Sequence, residues 1–135
     1  MGVKITNNAS GTLSAAITSG ATTLTLTSGQ GALFPTLGAG DYCWCTLVDT
    51  SNNVEIIKVT ARSTDTMTIV RGQDNTTAQA FAINDRLELR PTAALFAEFA
   101  TTATTVTKTS ATGSGVLPAG TTAQRDGSPS AGYLR

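Results

Sequence analysis

The residues best equipped for chemistry are two cysteines, nine carboxylates and one glycine-rich stretch. Cys43-Trp44-Cys45 lies inside an apolar run. In a strand both sulfurs would point to one face, with Tyr42, Trp44, Thr46 and Val48 on the other. A disulfide across a single residue is badly strained. A structural zinc site normally takes four ligands, and with no His in the chain the two thiolates could recruit only carboxylates. The pair is therefore expected to pack as buried thiols, small hydrophobes without a metal. The carboxylates Asp41, Asp49, Glu55, Asp65, Asp74, Asp85, Glu88, Glu98 and Asp126 mostly sit beside Gly, Asn or Ser, the setting in which Asp caps turn amides. Gly38-Ala39-Gly40-Asp41 precedes a strand and lacks the Lys of a phosphate loop, so it reads as a tight turn. The commonest general base is missing altogether. The expectation is a protein that is no enzyme and carries no cofactor or metal.

Charge narrows the partners. Nine Lys plus Arg balance nine Asp plus Glu, giving a formal net charge of zero. That lacks the basic footprint which phosphate backbones select, so nucleic acid is not expected as a partner. No run approaches the roughly 18 apolar residues of a membrane span. The opening Met1-Gly2-Val3-Lys4-Ile5-Thr6-Asn7-Asn8 has no signal-peptide core. We expect no membrane anchor and synthesis in a cytosol. Charged residues make up 13% of the chain, about half the usual share, and 26 Thr with 10 Ser supply the polarity instead. Thr is β-branched, which favours strands over helices.

These side chains must be positioned by a mainly β fold. Up to Arg90, short runs of Val, Ile, Leu and Thr alternate with Gly, Asn and Asp clusters at intervals of about ten residues, the spacing of a small antiparallel sandwich or barrel. The predicted strands are Thr12 to Thr18, Thr22 to Thr27, Tyr42 to Asp49, Val54 to Ala61, Thr66 to Arg71 and Arg86 to Arg90. Ser19-Gly20-Ala21 predicts a hairpin between the first two. Asp49 to Asn53 and Ser63-Thr64-Asp65 join the next three into a meander. Pro91 then stands at a plausible first helical turn, followed by good helix formers through Ala100. The helix is short and marginal alone. Its Leu95, Phe96 and Phe99 need burial, either against other copies of the chain, which we expect, or against its own β-domain. From Thr101 onward the chain is rich in Thr, Ser, Gly and Ala with little large apolar content, a composition that cannot fold alone. The expected organisation is a β anchoring domain over residues 1–90, a helix that seeds oligomerisation over 91–104, and an extended fibre-like segment over 105–135.

Two stretches resemble known sequences. Glu55-Ile56-Ile57-Lys58-Val59-Thr60-Ala61-Arg62, Thr68-Ile69-Val70-Arg71-Gly72-Gln73-Asp74, Thr76-Thr77-Ala78 and Asn84-Asp85-Arg86-Leu87-Glu88-Leu89-Arg90 are similar to a small β-domain of tailed-bacteriophage virion proteins. Asn75 and Asn84 stand where that pattern usually has Gly. Because Asn is the non-Gly residue most tolerant of positive φ, Gly72, Asn75, Asn84 and Asp85 are expected to form turns. Gly115 to Arg125 and Pro129 to Arg135 resemble a segment of phage tail fibres. That segment usually continues further, so the chain is expected to be cut from something longer.

The combined resemblance implies a structural virion protein, a tail fibre or its anchoring region, assembled in the host cytoplasm and located on the tail. It implies docking on other virion proteins, the tail adaptor or tail tube, and a homotrimer. Leu95, Phe96, Phe99, Tyr42 and Trp44 are the expected oligomer or docking contacts. Two other readings compete. A capsid decoration or head-fibre protein would use the same domain to clamp the shell, with the capsid as partner. A carbohydrate-binding module would display exposed aromatics, whereas Tyr42 and Trp44 lie in an apolar strand.

Overall fold

The computed structural model describes residues 2–106, with side chains described to Phe99. Its centre is the predicted meander: β4 (Asp41–Val48), β5 (Val54–Ser63) and β6 (Thr66–Gln73) pair antiparallel in sequence order. Alternation explains the pairing. Cys43, Cys45 and Leu47 of β4, Ile57 and Val59 of β5, and Met67 and Ile69 of β6 all point inward and are buried, as a period of two requires of a half-buried sheet.

β7 (Arg86–Glu88) lies on the other side of β4, and β2 (Ser10–Thr12) pairs with β7. β3 (Thr23–Thr25) closes the far side against β6. The order is β2-β7-β4-β5-β6-β3, with the two-residue β1 (Gly2–Val3) running parallel beside the start of β4. The sheet curls until its ends touch at a single bridge, Leu13 to Leu26. Two register shifts between β5 and β6, at Ile56/Lys58 and Val59/Ala61, supply the extra bend and twist that bulges give a sheet. Leu13, Leu24, Leu26, Phe34, Phe81 and Leu87 fill the inside of the curl.

The predicted first hairpin differs from what forms. Its two strands sit at opposite ends of the sheet order and meet only around the Leu13–Leu26 bridge, where the Ser14 amide donates to the Thr25 carbonyl and the Thr27 amide to the Thr12 carbonyl. Ile17 instead bridges Phe81. Leu13, Ala15 and Ile17 alternate like one strand, yet its partners change along its length. A 3-10 turn, Gln30–Leu33, follows β3.

Residues 2–100 form one compact unit. The helix α1 spans Ala93–Val106, so its first turns belong to this unit rather than to a separate module. The fibre-like segment expected over 105–135 lies, beyond Val106, outside the described residues.

The turn residues behave as their types dictate. Asn75 and Asn84 have φ of 62° and 70°, and Gly72 has φ of 59°. The Asn84 amide donates to the Leu13 carbonyl, and the Asp85 carboxylate accepts from the Ala82 amide at 2.6 Å. Asn84→Val should therefore cost about 1 kcal/mol or more from left-handed strain, while Asn84→Gly is tolerated. Thermal melts compare the two directly; a Val variant that melts no earlier than the Gly variant contradicts the assignment.

Candidate functional site

Two clusters organise the face and end of the domain that carry α1. The first is built on Glu55, which alternation places on the inner face with Ile57 and Val59 and which is fully buried. Arg71 grips it in a two-pronged contact, Nε to Oε1 at 2.8 Å and Nη2 to Oε2 at 2.7 Å. The Gly72 amide adds a bond to Oε1 at 2.8 Å and the Gln79 amide one to Oε2 at 3.1 Å. Arg71 Nη1 also donates to the Thr18 carbonyl at 2.6 Å. Burial alone would raise the Glu55 pKa, but Arg71 and the two amides outweigh it and hold the carboxyl below its ordinary value. A buried charge needs such full satisfaction. Glu55, Arg71 and Gly72 thus form one knot that ties β5, β6 and two loops together.

Past the knot, Asp74 takes φ of 49° and turns its carboxylate toward the start of α1, where Oδ2 accepts from the Ala94 amide at 3.0 Å. Thr92 Oγ1 accepts from the Leu95 amide at 3.2 Å, an N-cap. These bonds supply two of the amide partners that a helix start lacks.

The second cluster holds α1 further along. Leu95 is buried, at 7% exposure. One turn on, the Glu98 carboxylate accepts from the Tyr42 hydroxyl at 2.6 Å and from Trp44 Nε1 at 3.0 Å. Tyr42 and Trp44 meet edge to face with centroids 6.0 Å apart. The Lys58 ammonium of β5 lies 3.8 Å from the Tyr42 ring centroid and 5.6 Å from that of Trp44, a cation–π arrangement. The hydrogen bond to Glu98 is the main reason that the Tyr42 pKa is pushed up to about 12, with burial and the carboxylate charge adding to it.

The expected contact residues therefore separate into two groups. Leu95 is buried, three positions before the Glu98 that joins α1 to Tyr42 and Trp44. Tyr42 and Trp44 are engaged by Glu98 and Lys58. Phe96 and Phe99 are 62% and 49% exposed. Sequence reasoning missed Glu98 because it weighed only the helix's apolar residues. The signal was present, since Glu98 follows Leu95 by three positions and so shares its face.

The cysteines sit as expected, both on the inner face and buried, with sulfurs 3.8 Å apart. That contact, with burial, pushes the Cys45 thiol well above its ordinary pKa. A shallow polar depression of about 390 Å³ is lined by Asn53, Val54, Asn75, Thr76, Thr77 and Gln79. Its Thr76 hydroxyl is already occupied by the Ile56 amide and the Gln73 carbonyl. Among the described residues no helix is long and apolar enough to cross a membrane. No protein-family model matches the chain, and no curated protein is significantly similar to it.

Proposed function

We propose that the chain is a structural virion protein of a tailed bacteriophage, the anchoring region of a tail fibre that works through protein–protein contacts. In this reading the β-domain docks on a tail adaptor or tail-tube protein and α1 gathers identical chains, three in number, at the root of the fibre. The observation that carries it is the outward side of α1. Phe96 and Phe99 stand exposed while the helix's one ionisable side chain, Glu98, is turned to the sheet. Two large aromatics on an uncharged helix surface mark an interaction site. Burying each contributes about 1.5 to 3 kcal/mol per copy. The sequence resemblances between Glu55 and Arg90 and between Gly115 and Arg135 supply the class of assembly.

The domain suits such a role. Its polarity comes from hydroxyls rather than charge, and structures that must persist outside a cell rely on slow unfolding more than on active maintenance. The engagement of Tyr42 and Trp44 with Glu98 leaves no open aromatic platform there, which disfavours the carbohydrate-binding reading.

Phe99→Asp tests the assembly. Light scattering of the full chain should give a trimer for the wild type and a monomer for the variant, with circular dichroism of the β-domain unchanged. A wild-type chain that stays monomeric at high concentration contradicts the proposal. A variant that remains trimeric places the interface elsewhere.

A further inference from the structure

Three side chains on the shallow polar depression are uncommitted. Of the residues that line it, Thr76 spends its hydroxyl on the Ile56 amide and the Gln73 carbonyl, and Asn53 gives its Nδ2 to Asp49 at 2.8 Å. Asn75, Thr77 and Gln79 make no side-chain hydrogen bond among the described residues. Together they offer two amides and a hydroxyl, each able to donate and to accept. Val54 adds a large apolar side chain, 47% exposed. None of the lining residues is charged.

Their backbones, by contrast, are tightly held. The Gln79 amide is tied to Glu55 at 3.1 Å, and the Asn53 amide to Asp49 Oδ1 at 2.8 Å. The Thr76 amide donates to the Gln73 carbonyl at 2.9 Å. Asp74 and Asn75 are both left-handed, with φ of 49° and 62°, a state that persists only where the surroundings over-determine it. Donors and acceptors fixed on a rigid frame and left without internal partners make a preformed binding site. The volume of about 390 Å³ falls within the roughly 300 to 1,000 Å³ that small-molecule sites occupy.

The lining selects the chemistry of the ligand. With no charged side chain there, an ionic ligand would lose hydration and gain no counter-charge. A neutral ligand must bring donors and acceptors of its own, or the site's amides are left unpaired. A side-chain amide is matched by a secondary amide, since each group gives an N–H and takes one at its oxygen. The methyl of an acetyl group on that amide would gain from burial against Val54.

We propose that the depression is a binding site for a neutral N-acetylated sugar: Asn75 and Gln79 take its acetamido group, Thr77 a ring hydroxyl, and Val54 the acetyl methyl. Tyr42 and Trp44 have no part in it, so the site works without an aromatic platform. The inference is independent of how copies of the chain assemble.

Titration of the isotope-labelled full-length chain with N-acetylglucosamine, followed by amide chemical shifts, tests it. The shifts should saturate at residues 53–54 and 75–79 with a Kd on the order of 1 mM, as an open site with few contacts gives. Glucose, the same ring without the acetamido group, should bind at least about tenfold more weakly, because the amides of the site then stay unpaired. Asn75→Gly keeps the positive φ, and Gln79→Ala keeps the backbone bonds of its position. The double variant should retain the wild-type spectrum outside this region and lose the saturable shifts. The wild-type comparison of the two sugars decides the matter even if that variant does not fold. Absence of saturable shifts in the wild type would overturn the proposal. So would equal binding of glucose, or shifts that persist in the folded double variant. An equal response to N-methylacetamide would also overturn it, assigning the depression to a peptide group instead of a sugar.

Discussion

Gly31→Ala is expected to destabilise the domain by about 3 kcal/mol or more, the upper end of what one added methyl does in a packed interior. A Cβ at this position would stand 2.1 Å from the Thr64 carbonyl oxygen, 2.8 Å from Asp65 Cα and 2.9 Å from Asp65 Oδ1. The first two are backbone atoms of the β5–β6 turn, so no side-chain rotation relieves the clash. The approach is close because Asp65 reaches across to the start of the 3-10 turn, its carboxylate accepting from the Gly31 amide at 2.8 Å and from the Gly29 amide at 3.0 Å. Relief would require pulling that turn off the hairpin and breaking both bonds. Gly20→Ala is the matched control, since nothing lies within 4 Å of its Cβ position, and it should stay within about 0.5 kcal/mol of the wild type. Urea midpoints of the two variants measure the difference. Equal midpoints would mean that the 3-10 turn does not sit on the β5–β6 hairpin.

The Glu55–Arg71 knot carries the second large effect. Glu55→Gln leaves the Arg71 guanidinium, 8% exposed, without its counter-charge, and breaking a buried pair on one side costs about 3 to 5 kcal/mol. Replacing both partners, as in Glu55→Gln with Arg71→Met, removes the stranded charge and should cost less than the sum of the single changes. The pair also sets the acid response. A carboxyl held below its ordinary value of 4.5 in the folded state contributes stability that is present above that value and lost as pH falls through the lowered one. Wild-type stability should therefore drop steeply in that acid window, and Glu55→Gln should start lower and lose less across it. A variant with the wild-type acid slope would show that Glu55 is not the group responsible.

The parts of the fold that alternate locally were legible from the residues. Cys43, Cys45 and Leu47 against Ile57 and Val59, and these against Met67 and Ile69, are adjacent hairpins whose inner faces follow from a period of two. Asn75 and Asn84 announced their positive φ by residue type. The first predicted hairpin failed because Thr12 and Thr23 find their main partners in β7 and β6, far along the chain, and local alternation cannot name a distant partner. Gly31 gave no sign of its importance, since the constraint comes from a backbone more than thirty residues away. Glu55 was grouped with the carboxylates that mark turns, although alternation with Ile57 could have placed it inside; only the meeting of Arg71, Gly72 and Gln79 around it explains why a charge is stable there. For α1, three apolar side chains showed that the helix needed a partner, and Asp74, Tyr42 and Trp44 decide which side of it the domain takes.

The proposed role makes the domain part of a virion that meets its partner at the tail. Cryo-electron microscopy of particles assembled from a genome that carries this sequence tests it most directly. The predicted result is density for the curled sheet at the tail, touching an adaptor or tube protein, with three copies whose Phe96 and Phe99 meet around one axis. Density for the same domain on the capsid shell, or particles in which the chain is absent, would contradict it.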